Sequence, residues 1–288
     1  MQQFLEAGIV GIMLGAQYAL LALGFTLVFG ILGVVNFAHG ALYVLGGYLA
    51  YAAVSKLGLP YPVAVLAAVA GTAALGYLFE LLLIERCVED QLSTMMLTLG
   101  LYLVISTGVL LVFGPLSPQF RFPVSGTLRA GSIYVPLENL AVLGSCLVAI
   151  AGLYLLIYRT GFGRALRALA DDRPVATAQG VPPTLMFPLA FGLATGIAGL
   201  TGALVTPILM LGPTVGDPVL MTSFLTVILG GLGSIVGATV AAFIVGIVEA
   251  YSSVYLGGSS GALALFVLVL VILVVRPTGL LGRAPRRA

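Results

Sequence analysis

Apolar residues run along this chain in long stretches, interrupted by charge, proline or polar clusters. A hydrocarbon core of about 30 Å takes roughly 20 apolar residues per helix, and on that rule the runs predict spans at about 5–32, 36–55, 62–84, 92–114 and 138–158. Beyond a basic loop, further runs lie at about 186–211, 218–256 and 261–275. The pattern predicts an all-α fold, a polytopic transmembrane helical bundle of about eight spans plus discontinuous or re-entrant pieces. The opening MQQFLEAGIV has no basic residue and continues into an apolar stretch, so it reads as a first span and not as a cleaved signal peptide.

The run at 218–256 is too long for one crossing. Arg159, Arg164, Arg167 and Arg173 share one loop, and Arg276, Arg283, Arg286 and Arg287 fall in the tail, so the positive-inside rule places both in the cytoplasm. An even number of crossings must then separate them, whereas the map shows three runs. A break in Leu229-Gly-Gly-Leu-Gly-Ser234 restores the parity, because glycine weakens a helix and lets backbones approach. The alternative is one kinked, tilted helix with parity restored elsewhere. Five spans before the basic loop put the N-terminus and the 115–137 loop outside, which Arg121 and Arg129 oppose; a re-entrant 36–55 would move the N-terminus inside.

Composition narrows the picture further. Hydrophobic residues make up 60% of 288 and charged residues 8%, against about 25% charged in soluble domains. Mean hydropathy is +1.18. Cys87 and Cys146 sit in a charged loop and inside an apolar run, which argues against a disulfide between them, and His39 is the sole histidine, which leaves metal binding unsupported. The ionisable candidates within spans are His39, Glu80 and Glu249, scattered along the chain. No HExxH, DxxD or GxxxxGK(S/T) pattern occurs, and Lys56 is the sole lysine, so an enzymatic reading has little support. Thr26, Gly30, Leu32, Gly33, Ala38, Gly46 and Tyr51 each recur 200 positions later, which fits either an internal repeat or chance in so biased a composition.

Three segments stand out. Asn36-Phe-Ala-His39-Gly40 is the main polar interruption of the N-terminal half; Asn36 and His39 could line a path or hold a broken helix, or simply cap and anchor one. Small residues at Gly8, Gly11, Gly15 and at Gly192, Gly196, Gly199, Gly202 read as helix-packing faces. Between Gly163 and Gly180, Asp172 can cap a helix, Pro174 fits its first turn, Ala176 and Ala178 favour it and Gly180 can stop it, predicting a short cytoplasmic helix or an amphipathic linker.

Together, Asn36 to Gly40, Arg164 to Gly180 and Leu229-Gly230-Gly231-Leu232-Gly233-Ser234 give a sequence that resembles permease subunits of ATP-binding-cassette importers for branched-chain amino acids, with relatives serving urea and short amides. The resemblance covers essentially the whole chain. It implies a single permease domain, 1–288, of the larger (type II) importer fold seen in cobalamin importers. It also implies a cytoplasmic coupling loop at about 160–184, carried by Arg164, Arg167, Ala170, Asp171, Asp172, Ala176 and Gly180. Asn36, His39, Gly230, Gly231, Gly233 and Ser234 are the candidates for the path or its broken helices.

The implied partners are a second homologous permease chain, as a heterodimer, two cytoplasmic ATPase subunits, a periplasmic solute-binding protein and membrane lipid, without nucleic acid. No cofactor is expected on this chain; ATP and Mg belong to the ATPase subunits. The location implied is the bacterial inner membrane. An ion-coupled secondary transporter and a passive channel for a small neutral solute such as urea are the competing readings. With so few charged groups in its spans, the chain is expected to have no tight substrate site of its own.

Overall fold

A computed structural model describes residues 1–87, 90–118, 120, 122–130, 133–257 and 260–282. Arg121, Arg283, Arg286 and Arg287 lie outside the described residues. Eleven helices are described: α1 (Gln2–Leu32), α2 (His39–Ser55), α3 (Tyr61–Phe79), α4 (Gln91–Phe113), α5 (Leu137–Arg159), α6 (Gly161–Asp171), α7 (Arg173–Ala178), α8 (Pro183–Val205), α9 (Gly216–Gly230), α10 (Ile235–Leu256) and α11 (Ser260–Val275). A π-helical turn, Glu80–Ile84, extends α3, and a hairpin of β1 (Thr127–Ala130) and β2 (Ile133–Pro136) joins α4 to α5, with Thr127 opposite Pro136.

Among the described residues, six helices are long and apolar enough to cross a membrane: α1, α3 with its π turn, α4, α5, α8 and α10. The chain is therefore a multi-pass helical membrane protein, in which α2, α9 and α11 are shorter pieces of 17, 15 and 16 residues. The expected break is present: α9 stops at Gly230 and α10 starts at Ile235. The run expected at 186–211 instead begins at Pro183 and ends at Val205, where the Thr206 hydroxyl bonds the Gly202 carbonyl and Pro207 follows with no N–H to give.

Glycine sets the packing of the core. α1 runs antiparallel to α10, because a Cβ on Gly11 would lie 2.8 Å from the Ile247 Cα and one on Gly15 2.8 Å from the Phe243 Cα. α8 lies between α2 and α3, with Gly202 against Tyr43 and Gly199 against Thr72. Such contact gains dispersion energy where lipid offers no hydrophobic drive. Most of α8 is buried, whereas α4, α5 and α11 turn many large apolar side chains outward.

The 200-residue correspondence lays helix on helix and break on break. α1 and α2 are parted at Gly33 (φ 70°), α9 and α10 at Gly231 and Gly233 (φ 101° and 80°). The pairing is crosswise, α1 on α10 and α2 on α9, and Gly30 abuts Gly233. The end of α9 is closed from downstream, since Leu280 N–H donates to the Leu229 carbonyl (2.8 Å) and Leu281 N–H to that of Gly230 (3.0 Å).

Candidate translocation path and coupling surface

The turn between α1 and α2 is built by its own polar groups. The Asn36 side-chain carbonyl accepts from Ala38 N–H (3.0 Å), its backbone carbonyl accepts from His39 N–H (3.3 Å), and the Thr98 hydroxyl of α4 accepts from Phe37 N–H (3.3 Å). His39 is fully buried with its Nε2 3.1 Å from the Leu21 carbonyl, so Nε2 carries the hydrogen and donates. His39 Nδ1, Asn36 Nδ2 and Thr26 Oγ1 are buried without a hydrogen-bond partner among the described residues. This is costly unless water or a solute visits them.

These groups are level with the middle of α4, a helix long enough to span the membrane. Tyr102 stands eleven residues from either end of α4, Gln91 and Phe113, and Thr98 is one turn away. Here α2 begins, and here it meets the start of α9, for a Cβ on Gly40 would lie 2.3 Å from the Gly216 carbonyl oxygen. Neither helix has a side-chain cap on its first turn. The next residue, Asp217, accepts a hydrogen bond from the Tyr102 hydroxyl (2.6 Å), and its side chain is exposed on the isolated chain. Sequence reading missed Asp217 because the apolar run begins after it. The available signal was an acid beside Gly216 and Pro218, within reach of a hydrophobic segment.

Gly230, Gly231, Gly233 and Ser234 form the α9–α10 break, where Gly233 abuts Gly30, one turn along α1 from Thr26. Gly231 packs on Gly282 and Gly230 on Gly237, while Ser234 caps α10 by accepting from Gly237 N–H (3.1 Å). Of the other intramembrane acids, Glu249 pairs with the Tyr18 hydroxyl, and Glu80 is fully buried with both oxygens unpartnered.

The segment from 160 to 184 holds two helices where one was expected. Thr160 caps α6 by accepting from Gly163 N–H (3.1 Å), and Gly163 lets α6 fold back on α5, since a Cβ there would stand 2.1 Å from the Ile157 carbonyl oxygen. Asp172 caps α7 by accepting from Val175 N–H (3.0 Å), Pro174 lies in its first turn, and Gly180 follows with φ 88°. Arg164, Ala170, Asp171, Asp172 and Gly180 are exposed and Arg167 half-buried, its guanidinium 5.0 Å from the Tyr158 ring centre. Ala176 turns inward, 2% exposed, against Leu169 and Phe187, and this small core also touches Ile31 and Leu32 at the end of α1. A cleft of about 520 Å³ beside α7 is lined by Glu85, Arg86, Asp90, Arg173 and Phe187 among others. The described residues contain no cluster of three or more potential metal ligands.

The family of permease components of branched-chain amino acid transport systems matches residues 9–276. The chain is 30% identical to the high-affinity branched-chain amino acid transport system permease protein LivH of Escherichia coli, over 97% of this chain and 96% of that one. It is 28% identical to the corresponding permease protein BraD of Pseudomonas aeruginosa, over 97% and 96%. Identity to a probable LivH of Methanocaldococcus jannaschii is 29%, over 91% and 88%. No solved structure matches the chain.

Proposed function

Since this chain belongs to the family of permease components of branched-chain amino acid transport systems, we propose that it forms half of the membrane path of an ATP-driven importer for a small amino acid. The observation that carries the reading is the family match over nearly the whole chain, 9–276. A branched-chain amino acid is the favoured solute. A binding protein on the outer side delivers it, and a second, homologous permease chain completes the path in the cytoplasmic membrane.

Two cytoplasmic ATPase subunits supply the energy, each with its own ATP and Mg. The absence of a phosphate-loop sequence supports leaving that chemistry to them. Their docking surface on this chain is the exposed side of α6 and α7. The inward side, through Ala176, Leu169 and Phe187, rests on the end of α1. A push on α7 therefore reaches Ile31 and Leu32, next to the Gly33 turn that leads to Asn36 and His39. The supporting architecture is mechanical: a rigid elbow at Gly163 on one side and a glycine turn on the other.

The test is uptake of labelled leucine into vesicles holding the permease pair and the ATPase subunits, with the binding protein outside. Uptake that needs both ATP within and the binding protein outside supports the importer. Leucine uptake that persists without the ATPase subunits refutes it in favour of an ion-coupled carrier or a channel.

A further inference from the structure

The Tyr102–Asp217 pair is a carboxylate on an apolar surface. Around it, Leu99 is 48% exposed, Leu103 56% and Met221 51%, all on the outer side of α4 and α9. A carboxylate held toward hydrocarbon is expensive, and intramembrane acids face a wet cavity or a partner. The pair sits at the middle of a membrane-length helix: Tyr102 is the central residue of α4, and Gly216 lies against Gly40, beside the turn held by Thr98. The hydroxyl at 2.6 Å orients one carboxylate oxygen, Oδ1.

We propose that Asp217, oriented by Tyr102, receives the ammonium group of the solute midway across the membrane. This rests on the importer reading above and adds the residue that meets the solute. The chemistry fits a transient site. A lone carboxylate with one hydroxyl offers a cation a charge-assisted hydrogen bond that lowers the cost of leaving water. It lacks the enclosing shell of a tight site, so release stays fast. A solute with a primary ammonium and an apolar body matches the surroundings, one charged oxygen among leucine and methionine side chains.

The experiment uses the whole importer in vesicles, with binding protein and internal ATP, and compares leucine uptake with stimulated ATP hydrolysis. Asp217→Asn keeps the Tyr102 hydrogen bond but removes the charge. The expected result is an assembled complex whose hydrolysis is still stimulated, with leucine moved per ATP lowered about tenfold or more. Asp217→Glu restores most of that ratio, and Tyr102→Phe lowers it by a smaller factor. Unchanged leucine moved per ATP in Asp217→Asn overturns the assignment. So does loss of the permease pair in Asp217→Asn that Asp217→Glu rescues, which would mark an ion pair with the second permease chain. A native complex that moves no ammonium-bearing solute refutes the functional reading itself, an outcome distinct from native transport that the Asn variant matches.

Discussion

Gly46 of α2 and Gly199 of α8 meet backbone to backbone: a Cβ on Gly46 would stand 2.4 Å from the Gly199 Cα and 2.3 Å from its carbonyl oxygen. Neither atom is the end of a flexible side chain, so the helices themselves must part to admit a methyl group. Gly46→Val is expected to lower stability by about 1–3 kcal/mol or more, the range for overpacked cores. In contrast, Gly108 and Gly144 face open space, and alanine there is expected to gain about 0.5–1 kcal/mol from helix propensity. Thermal unfolding of the detergent-purified chain checks both signs.

The coupling segment separates cap, strain and packing. Asp172→Ala removes the cap on α7, a loss of about 1 kcal/mol confined to a short helix. Gly180→Val imposes a β-branched residue on φ 88°, costing about 1–2 kcal/mol locally, while no neighbouring atom lies within 4 Å to clash. Both variants should leave the bundle's melting temperature nearly unchanged and reduce co-purification of the ATPase subunits and stimulated hydrolysis. Ala176→Trp differs, because its side chain enters the Leu169–Phe187 core. It should lower melting temperature and coupling together.

A pH effect follows from Asp90, which caps α4 outside the membrane. The Ser93 hydroxyl hydrogen bond, first, and the Leu92 and Ser93 backbone N–H groups hold its carboxyl below the ordinary 3.8. A depressed folded value means the cap's contribution is fully present above the unfolded value and is lost as pH falls through the folded one. Between neutral pH and 5 the start of α4 should therefore stay constant in hydrogen exchange, fraying only in acid below 3.8. Asp90→Asn, an equally good cap, should remove most of that acid sensitivity, and Asp90→Ala should fray α4 at every pH.

Glu80 offers a test of stability against function. Its two oxygens are buried without partners in the π turn, so the acid costs folding energy that an apolar side chain would not. Glu80→Met is expected to raise the melting temperature, by a shift corresponding to about 1 kcal/mol or more. If uptake falls in the same variant, the acid serves transport; if uptake holds, it is an uncompensated cost.

Local chemistry was legible in the sequence, and depth was not. Asp172, Pro174 and Gly180 announce α7 because a cap, a first-turn proline and a positive-φ stop act through neighbouring atoms. The glycines of Leu229 to Ser234 announce the α9–α10 break because about eleven turns of continuous helix cannot fit one crossing. Nothing local says that Ala176 turns inward; that depends on Phe187 and Leu169 meeting across two helices. Asp217 was hidden for the same reason. It reads as a loop residue until Gly216 is seen against Gly40 and Tyr102 within hydrogen-bond reach, contacts between residues more than a hundred positions apart.

The hydrogen bonds from Leu280 and Leu281 to the end of α9 also impose an order of events on the ribosome. The carbonyls of Leu229 and Gly230 emerge well before their donors, and between the two the chain must insert α10 and place α11. Until then α9 has an open end beside a glycine break, free to slide or to pair wrongly. Insertion of α11 thus works as a latch on an earlier helix, and a truncation before Leu280 should leave α9 the first part of the bundle attacked by a membrane protease.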